Sequence, residues 1–213
     1  MAIAWGWVAV GAAAGGFIAV PLLASWGLKQ LHHVRDAVSW PLRMVAAGAG
    51  VAAGLVAVAA AHRAGSPWWL PALACWATTL AAAAVCDGRT QRIPTLLVRT
   101  SAVATAALLV AAAIVTDNWR ALLLSVVAAM GAGLILLVCW RFAGAGFGDV
   151  RLAFVGGLGL GHTHYRAVVF AVVMFAVLIA GLAGFAYART RDRRAMVAYG
   201  PALVTAFFLA AAV

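Results

Sequence analysis

The stretch RALLLSVVAAMGAGLILLVCW, residues 120–140, decides the fold class of this chain. After its opening arginine it contains no charged side chain, and it has the length of about 20 residues that an α-helix needs to cross a bilayer core. Similar runs recur along the chain, which is 67% hydrophobic with a mean hydropathy of +1.06. A soluble domain of this composition would expose apolar side chains over its surface. We therefore predict an integral membrane protein.

Eight apolar segments can be recognised along the sequence. Six approach the length of a membrane span and two are shorter. All eight should be helical, because backbone amides in lipid must be satisfied within their own segment. We predict an all-α, polytopic membrane protein with about eight helical segments. The long segments are 2–24, 41–61, 68–86, 98–116, 120–140 and 165–187, and the short ones are 152–161 and 201–213.

Basic residues are distributed unevenly between alternate connections. With the N-terminus outside, the odd-numbered connections carry twelve Lys and Arg, and the others carry only Arg63, Arg120 and Arg166. The positive-inside rule then predicts that both termini face outward, N-out and C-out, in a cell membrane. The net charge of +10 is spread over short connections rather than clustered on one segment. It therefore predicts contact with membrane lipid and not with nucleic acid.

Acidic residues are scarce, since the chain has five aspartates and no glutamate. Asp87 lies in CDGRTQRIP at 86–94, and Asp149 lies in GAGFGDVRL at 144–152. A carboxylate at the edge of a hydrocarbon phase is costly and by default marks a functional site. The predicted orientation places both acids at the cytoplasmic ends of their helices. We therefore predict that they share one membrane depth and form a pair.

Two carboxyl groups a few ångströms apart are suited to aspartyl proteolysis. They do not both ionise readily, so the pair holds one proton. The ionised member can take a proton from a water that attacks the scissile carbonyl, and the protonated member can donate to the oxyanion. Gly146 and Gly148 lack Cβ atoms and permit close approach beside Asp149, and Pro94 ends the connection that follows Asp87. Alternatively, the acids are helix-end groups paired with Arg89, Arg92 or Arg151.

Three motifs together resemble the signatures of the type IV prepilin peptidases, membrane aspartyl proteases of the GxGD class. They are Asp-x5-Ile-Pro at 87–94, Gly-x-Gly-Asp-x-Arg-Leu at 146–152 and Tyr-Gly-Pro-Ala-Leu at 199–203. The resemblance implies that Asp87 and Asp149 are catalytic and that Gly200 and Pro201 support the site. It also implies cleavage of a short cytoplasmic leader from prepilin-like precursors with an apolar N-terminal helix, in the service of a type IV pilus or of protein secretion.

The resemblance covers a predicted membrane core at 67–213, and residues 1–66 add two further segments of unknown role. Family members that also methylate the new N-terminus carry a cytoplasmic insertion with two CxxC pairs. Here the connection at 25–40 is short and has no cysteine, so we predict a peptidase without that zinc module. Thr95 and Arg151 also depart from the residues common in the family, without affecting the acid pair.

No metal or organic cofactor is predicted, because water and two carboxyl groups suffice for peptide hydrolysis. Histidines at 32, 33, 162 and 164 are interpreted as loop residues, and the three cysteines lack CxxC spacing. The oligomeric state stays open.

Two other functions stay open. An intramembrane protease of the signal peptide peptidase type would place its first aspartate inside a helix, whereas we expect Asp87 to open an arginine-rich loop. A proton-coupled transporter would place acids near the bilayer midplane and show inverted repeats. Neither feature is visible in the sequence.

Overall fold

The computed structural model describes residues 2–31, 40–143, 145–161, 165–191 and 198–212. Eight α-helices and one 3₁₀ turn at Pro67–Trp69 account for nearly all of these residues, and no strand occurs among them. The α-helices are α1 (Ala2–Gln30), α2 (Trp40–Arg63), α3 (Leu70–Thr90), α4 (Thr95–Thr116), α5 (Trp119–Ala143), α6 (Phe147–Leu158), α7 (Tyr165–Thr190) and α8 (Tyr199–Ala212).

The predicted all-α membrane architecture is confirmed. The six long helices α1 to α5 and α7 are each apolar and long enough to cross a membrane. The two short predicted segments correspond to α6 and α8, of 12 and 14 residues. Which face of the membrane each terminus occupies stays a prediction.

One predicted boundary differs in a way that matters for the site. The apolar run ends at residue 86, but α3 continues to Thr90, so Asp87 lies inside its last turn and does not open a loop. The hydroxyl of Thr90 donates to the carbonyl of Cys86, and the amide of Gln91 donates to the carbonyl of Asp87. Gln91 adopts the left-handed conformation, at φ 52°, and so ends the helix.

Helix α3 lies at the centre of the packing. Trp76 and Leu80 on this helix are fully buried. The Trp76 indole donates to the carbonyls of Val155 and Gly156 on α6, at 3.0 and 3.1 Å, which gives this buried N–H its partner. A Cβ at Gly157 would collide with the Ala128 backbone on α5. The absence of a side chain at Gly157 therefore lets α6 pack tightly against α5.

Short connections bring several helix ends together. Residues 91–94 join α3 to α4, residues 117–118 join α4 to α5, and residues 144–146 join α5 to α6. Helices joined by such short connections run antiparallel. The end of α3, the start of α4, the end of α5 and the start of α6 therefore lie at one end of the bundle, which we call the aspartate end because Asp87 and Asp149 lie there.

The N-terminal helices also reach the aspartate end. A Cβ added to Gly27, in the last turns of α1, would lie 3.0 Å from Pro94 Cγ and 3.2 Å from Cys86 Sγ. The Cys86 thiol is 3.6 Å from the Ala24 carbonyl. Helix α1 thus packs directly on the helix that carries Asp87, while the functional division at residues 66 and 67 stays a prediction.

Some features named in the sequence analysis fall outside the described residues. They are Gly144, the histidines at 32, 33, 162 and 164, and the aspartates at 36 and 192.

Candidate active site

Asp87 is held by the N-terminus of α8. Its side chain is 5% exposed, and its Oδ2 accepts a hydrogen bond of 2.9 Å from the backbone amide of Gly200. Gly200 is the second residue of α8, so this amide is one of those that a helix cannot satisfy internally. The carboxyl group of Asp87 supplies the missing acceptor, at the positive end of the α8 dipole.

Asp149 is held by its own helix. It is the third residue of α6 and is 6% exposed. Its Oδ2 accepts a 3.0 Å hydrogen bond from the amide of Gly146, the N-cap residue, and its own amide donates to the Gly146 carbonyl, also at 3.0 Å. This reciprocal arrangement fixes the carboxyl group at the start of the helix, where a negative charge is favourable.

The structure brings the two acids close enough to interact. Burial, together with the smaller effect of the negative charge of Asp87, raises the pKa of Asp149 to about 6, although the hydrogen bond from Gly146 opposes both. Two carboxylates in one poorly hydrated site repel each other, which favours the protonated form of one of them. Asp149 is thus poised to hold a proton beside Asp87.

The two oxygens of each carboxyl group differ in their hydrogen bonding. Within the described part of the chain, Oδ2 of each acid accepts a backbone hydrogen bond, whereas Oδ1 of each has none. No ion pair joins either acid to an arginine among the described residues. The alternative interpretation as ion-paired helix ends therefore finds no support at Arg89, Arg92 or Arg151, all of which are described.

The other motif residues shape the surroundings of the acids. Pro94 is the N-cap residue of α4. A Cβ at Gly148 would lie 3.2 Å from Cβ of Ile93, so the connection between α3 and α4 lies against the start of α6. Pro201 packs near Gly88, where an added Cβ would lie 3.6 Å from Pro201 Cγ. These residues surround the acids without contacting them through side-chain hydrogen bonds.

Gly200 has the most specific role among them. A Cβ added there would lie 2.7 Å from Oδ2 of Asp87 and 2.9 Å from its Cβ, which no real side chain tolerates without movement. The motif at 199–203 indicates that Gly200 belongs to the site, but it does not show which residue Gly200 contacts. The Gly200 amide binds the Asp87 carboxyl group, and the absence of a side chain at Gly200 leaves the space that this carboxyl group occupies.

Arg151 contacts Thr95 and Phe147. Its guanidinium donates a 2.9 Å hydrogen bond to the hydroxyl of Thr95 on α4 and lies 4.8 Å from the centre of the Phe147 ring. The two positions at which the chain departs from the family motifs, 95 and 151, thus contact each other. This contact links the first turn of α4 to the second turn of α6.

No cluster in the described residues is suited to a metal ion, since no three His, Cys, Asp or Glu side chains come together there.

A comparison with protein families identifies the family of the chain. The type IV leader peptidase family matches residues 72–188, more than half of the chain, and the matched range includes both aspartates. The chain belongs to the type IV leader peptidase family. No curated protein and no solved structure matches it.

Membership of the type IV leader peptidase family makes the chain a protease, and the six apolar helices make it a multi-pass membrane protein. Prepilin-type precursors are the general substrates that the family implies. The matched range ends before α8, which supplies the Gly200 amide to Asp87, and begins after α1 and α2. The site therefore depends on parts of the chain beyond the matched range.

Proposed function

We propose that this leader peptidase is an aspartyl endopeptidase in which Asp87 and Asp149 jointly activate water. It removes the short cytoplasmic leader from type IV prepilin-like precursors, at the cytoplasmic face of a cell membrane. The observation that carries the proposal is a pair of buried, interacting carboxyl groups, each anchored through Oδ2 by a backbone amide and each with an Oδ1 that accepts no hydrogen bond from a described residue.

The chemistry follows from unequal protonation of the pair. Burial and the neighbouring charge of Asp87 raise the pKa of Asp149, so Asp149 keeps its proton to higher pH than an ordinary aspartate. Asp87, in its ionised form, takes a proton from the water as that water attacks the scissile carbonyl carbon. Asp149 donates its proton toward the carbonyl oxygen as negative charge develops there. The C–N bond of the tetrahedral intermediate then breaks as the proton on Asp87 passes to the leaving amine, and a hydroxyl proton of the intermediate returns to Asp149, which restores the pair.

The anchoring hydrogen bonds have a catalytic purpose in this scheme. Backbone amides at helix starts are rigid, so they hold each Oδ2 fixed and leave each Oδ1 oriented toward the reactant. The amide hydrogen bonds also persist when one acid changes its protonation state. The pair can therefore exchange protons with water and substrate without losing its geometry.

The location of the pair suits a precursor that lies in the bilayer. Both acids lie in helix turns at the aspartate end, where α3 ends and α6 begins. The apolar helix of a precursor would lie beside the bundle, and the bond between leader and helix would reach the level of the acids. The positive-inside distribution of Lys and Arg supports a cytoplasmic position for this end.

Co-expression with a precursor tests the proposed activity. We expect a precursor with a Gly-Phe or Gly-Met junction between a polar leader and an apolar helix to be shortened. Sequencing of the shortened product should begin at the Phe or Met. Cleavage within the apolar helix itself would instead indicate an intramembrane protease of the signal peptide peptidase type, and an intact precursor would contradict leader peptidase activity.

A further inference from the structure

An apolar groove opens on the face formed by α4, α5 and α6. Its volume is about 490 Å³, within the range of small-molecule sites. Its walls include the exposed side chains of Met130 and Leu134 on α5 and of Phe154 on α6. Among the described residues that line it, none is acidic, and Arg99 and Arg151 are the charged ones.

The two arginines lie at one end of this groove. Arg99 is in the second turn of α4, and Arg151 is in the second turn of α6. Both helices start at the aspartate end, so both guanidinium groups lie near the membrane boundary. Met130 lies near the middle of α5, and Phe154 lies one turn beyond Arg151 along α6. The groove thus has a cationic end at the boundary and an apolar end in the hydrocarbon.

The start of α4 adds to the positive charge at the same end. Its N-cap residue is Pro94, which has no side chain able to accept from the free amides of the first turn. These amides form the positive end of the dipole of a 22-residue helix. Thr95 in that turn accepts the hydrogen bond from Arg151, which holds the guanidinium beside the helix start. Arg99 forms no ion pair with a described residue.

We propose that this groove binds an anionic phospholipid. The phosphate lies between Arg99 and Arg151 at the start of α4, and one acyl chain runs along Leu134, Met130 and Phe154. A ligand with one anionic end and one apolar end matches the distribution of charge along the groove. A zwitterionic lipid fits the apolar part equally well but gains less from the two cations, because its own positive group offsets the phosphate.

Lipid binding can be measured on the full chain in detergent by native mass spectrometry, with phosphatidylglycerol and phosphatidylcholine added in turn. We expect the unaltered protein to prefer phosphatidylglycerol. Each arginine near an anionic headgroup contributes about fivefold in affinity. The single substitution Arg99→Gln should therefore weaken phosphatidylglycerol binding about fivefold. The double variant, Arg99→Gln with Arg151→Gln, should weaken it about 25-fold. The corresponding double substitution to lysine should retain most of the preference.

Arg120→Gln is the matched control. Arg120 is an exposed arginine at the start of α5, at the opposite end of the bundle, and the substitution should leave lipid binding unchanged. Equal affinity for the two lipids in the unaltered protein would overturn the proposal. The proposal would also be overturned if Arg120→Gln lost as much phosphatidylglycerol binding as Arg99→Gln. Undiminished phosphatidylglycerol binding in the double glutamine variant would overturn it as well.

A crosslinking experiment separates lipid from protein as the occupant. The protein carries a photoreactive amino acid in place of Leu134 and is placed, together with the precursor, in phosphatidylcholine vesicles that contain a minority of phosphatidylglycerol. The photoreactive group should label phosphatidylglycerol. Labelling of the apolar helix of the precursor in place of lipid would assign the groove to the substrate and contradict the proposal. Neither experiment requires proteolytic activity, so the outcome is independent of the proposed cleavage reaction.

Discussion

Asp87→Asn and Asp149→Asn are each expected to reduce the rate of precursor cleavage by at least about 10³-fold, within the range that general acid–base groups contribute. Asparagine keeps the shape of aspartate and an oxygen that can accept from the Gly200 or Gly146 amide, so the fold should be preserved. It can neither take a proton from water nor donate one to an oxyanion. Cleavage of the precursor by purified variants in detergent gives the rates.

Asp117→Asn provides the control for the two catalytic substitutions. Asp117 lies between α4 and α5, at the opposite end of the bundle, and adopts the left-handed conformation at φ 50°. Asparagine tolerates that conformation well, so the variant should fold and cleave like the unaltered protein. Cleavage close to the normal rate by either Asp87→Asn or Asp149→Asn would show that the two acids do not act as a pair.

Gly200→Ala is expected to lower the rate about 100-fold, the effect of misplacing a catalytic group by about 1 Å. The new Cβ would lie 2.7 Å from Oδ2 and 3.0 Å from Cγ of Asp87, so the carboxyl group or the start of α8 must move. The hydrogen bond from the Gly200 amide would lengthen or break as a result. Initial rates at saturating and limiting precursor measure the effect.

Gly88→Ala tests whether this loss is specific. Gly88 follows Asp87 in the same helical turn, but among the described residues an added Cβ there would meet only Pro201 Cγ, at an ordinary 3.6 Å. The variant should retain activity, and alanine favours the helix. Comparable losses in Gly88→Ala and Gly200→Ala, or full activity in Gly200→Ala, would contradict the role assigned to α8. Melting temperatures of both variants identify any loss of folding.

The sequence predicted the architecture well because hydrocarbon imposes a simple length requirement on each helix. The end of α3 was less predictable. Asp87, Gly88 and Arg89 follow an apolar run and are typical of a connection, but the helix continues through them. Its extension depends on the Thr90 hydroxyl and on left-handed Gln91, which are local features that hydropathy does not register.

The approach of the two acids was predicted from shared depth, yet their anchoring was not. The Gly200 amide and Asp87 are separated by 113 positions, and a backbone amide has no signature of its own in a sequence. The motif at 199–203 indicated that the region matters without indicating how. Packing of α8 against α3 supplies the reason, and it also explains why Gly200 has no side chain.

The contact between Arg151 and Thr95 was equally inaccessible from sequence. Each residue was noted separately as a departure from the family motifs. Only the packing of α4 beside α6 reveals that the two side chains meet. The same contact positions one of the two guanidinium groups in the proposed lipid groove.

The coupling of the two acids can be measured directly by infrared titration of protein labelled with ¹³C at the aspartate side-chain carboxyl. With five aspartates and no glutamate, few labelled groups contribute. Because the pKa of Asp149 is raised to about 6, one carboxyl should stay protonated below that pH and ionise above it. This signal should be absent from Asp149→Asn. In Asp87→Asn its midpoint should move to lower pH, because the neighbouring negative charge is gone. A midpoint that is unchanged in Asp87→Asn, or no carboxyl that ionises above the ordinary range of aspartate, would contradict a coupled pair.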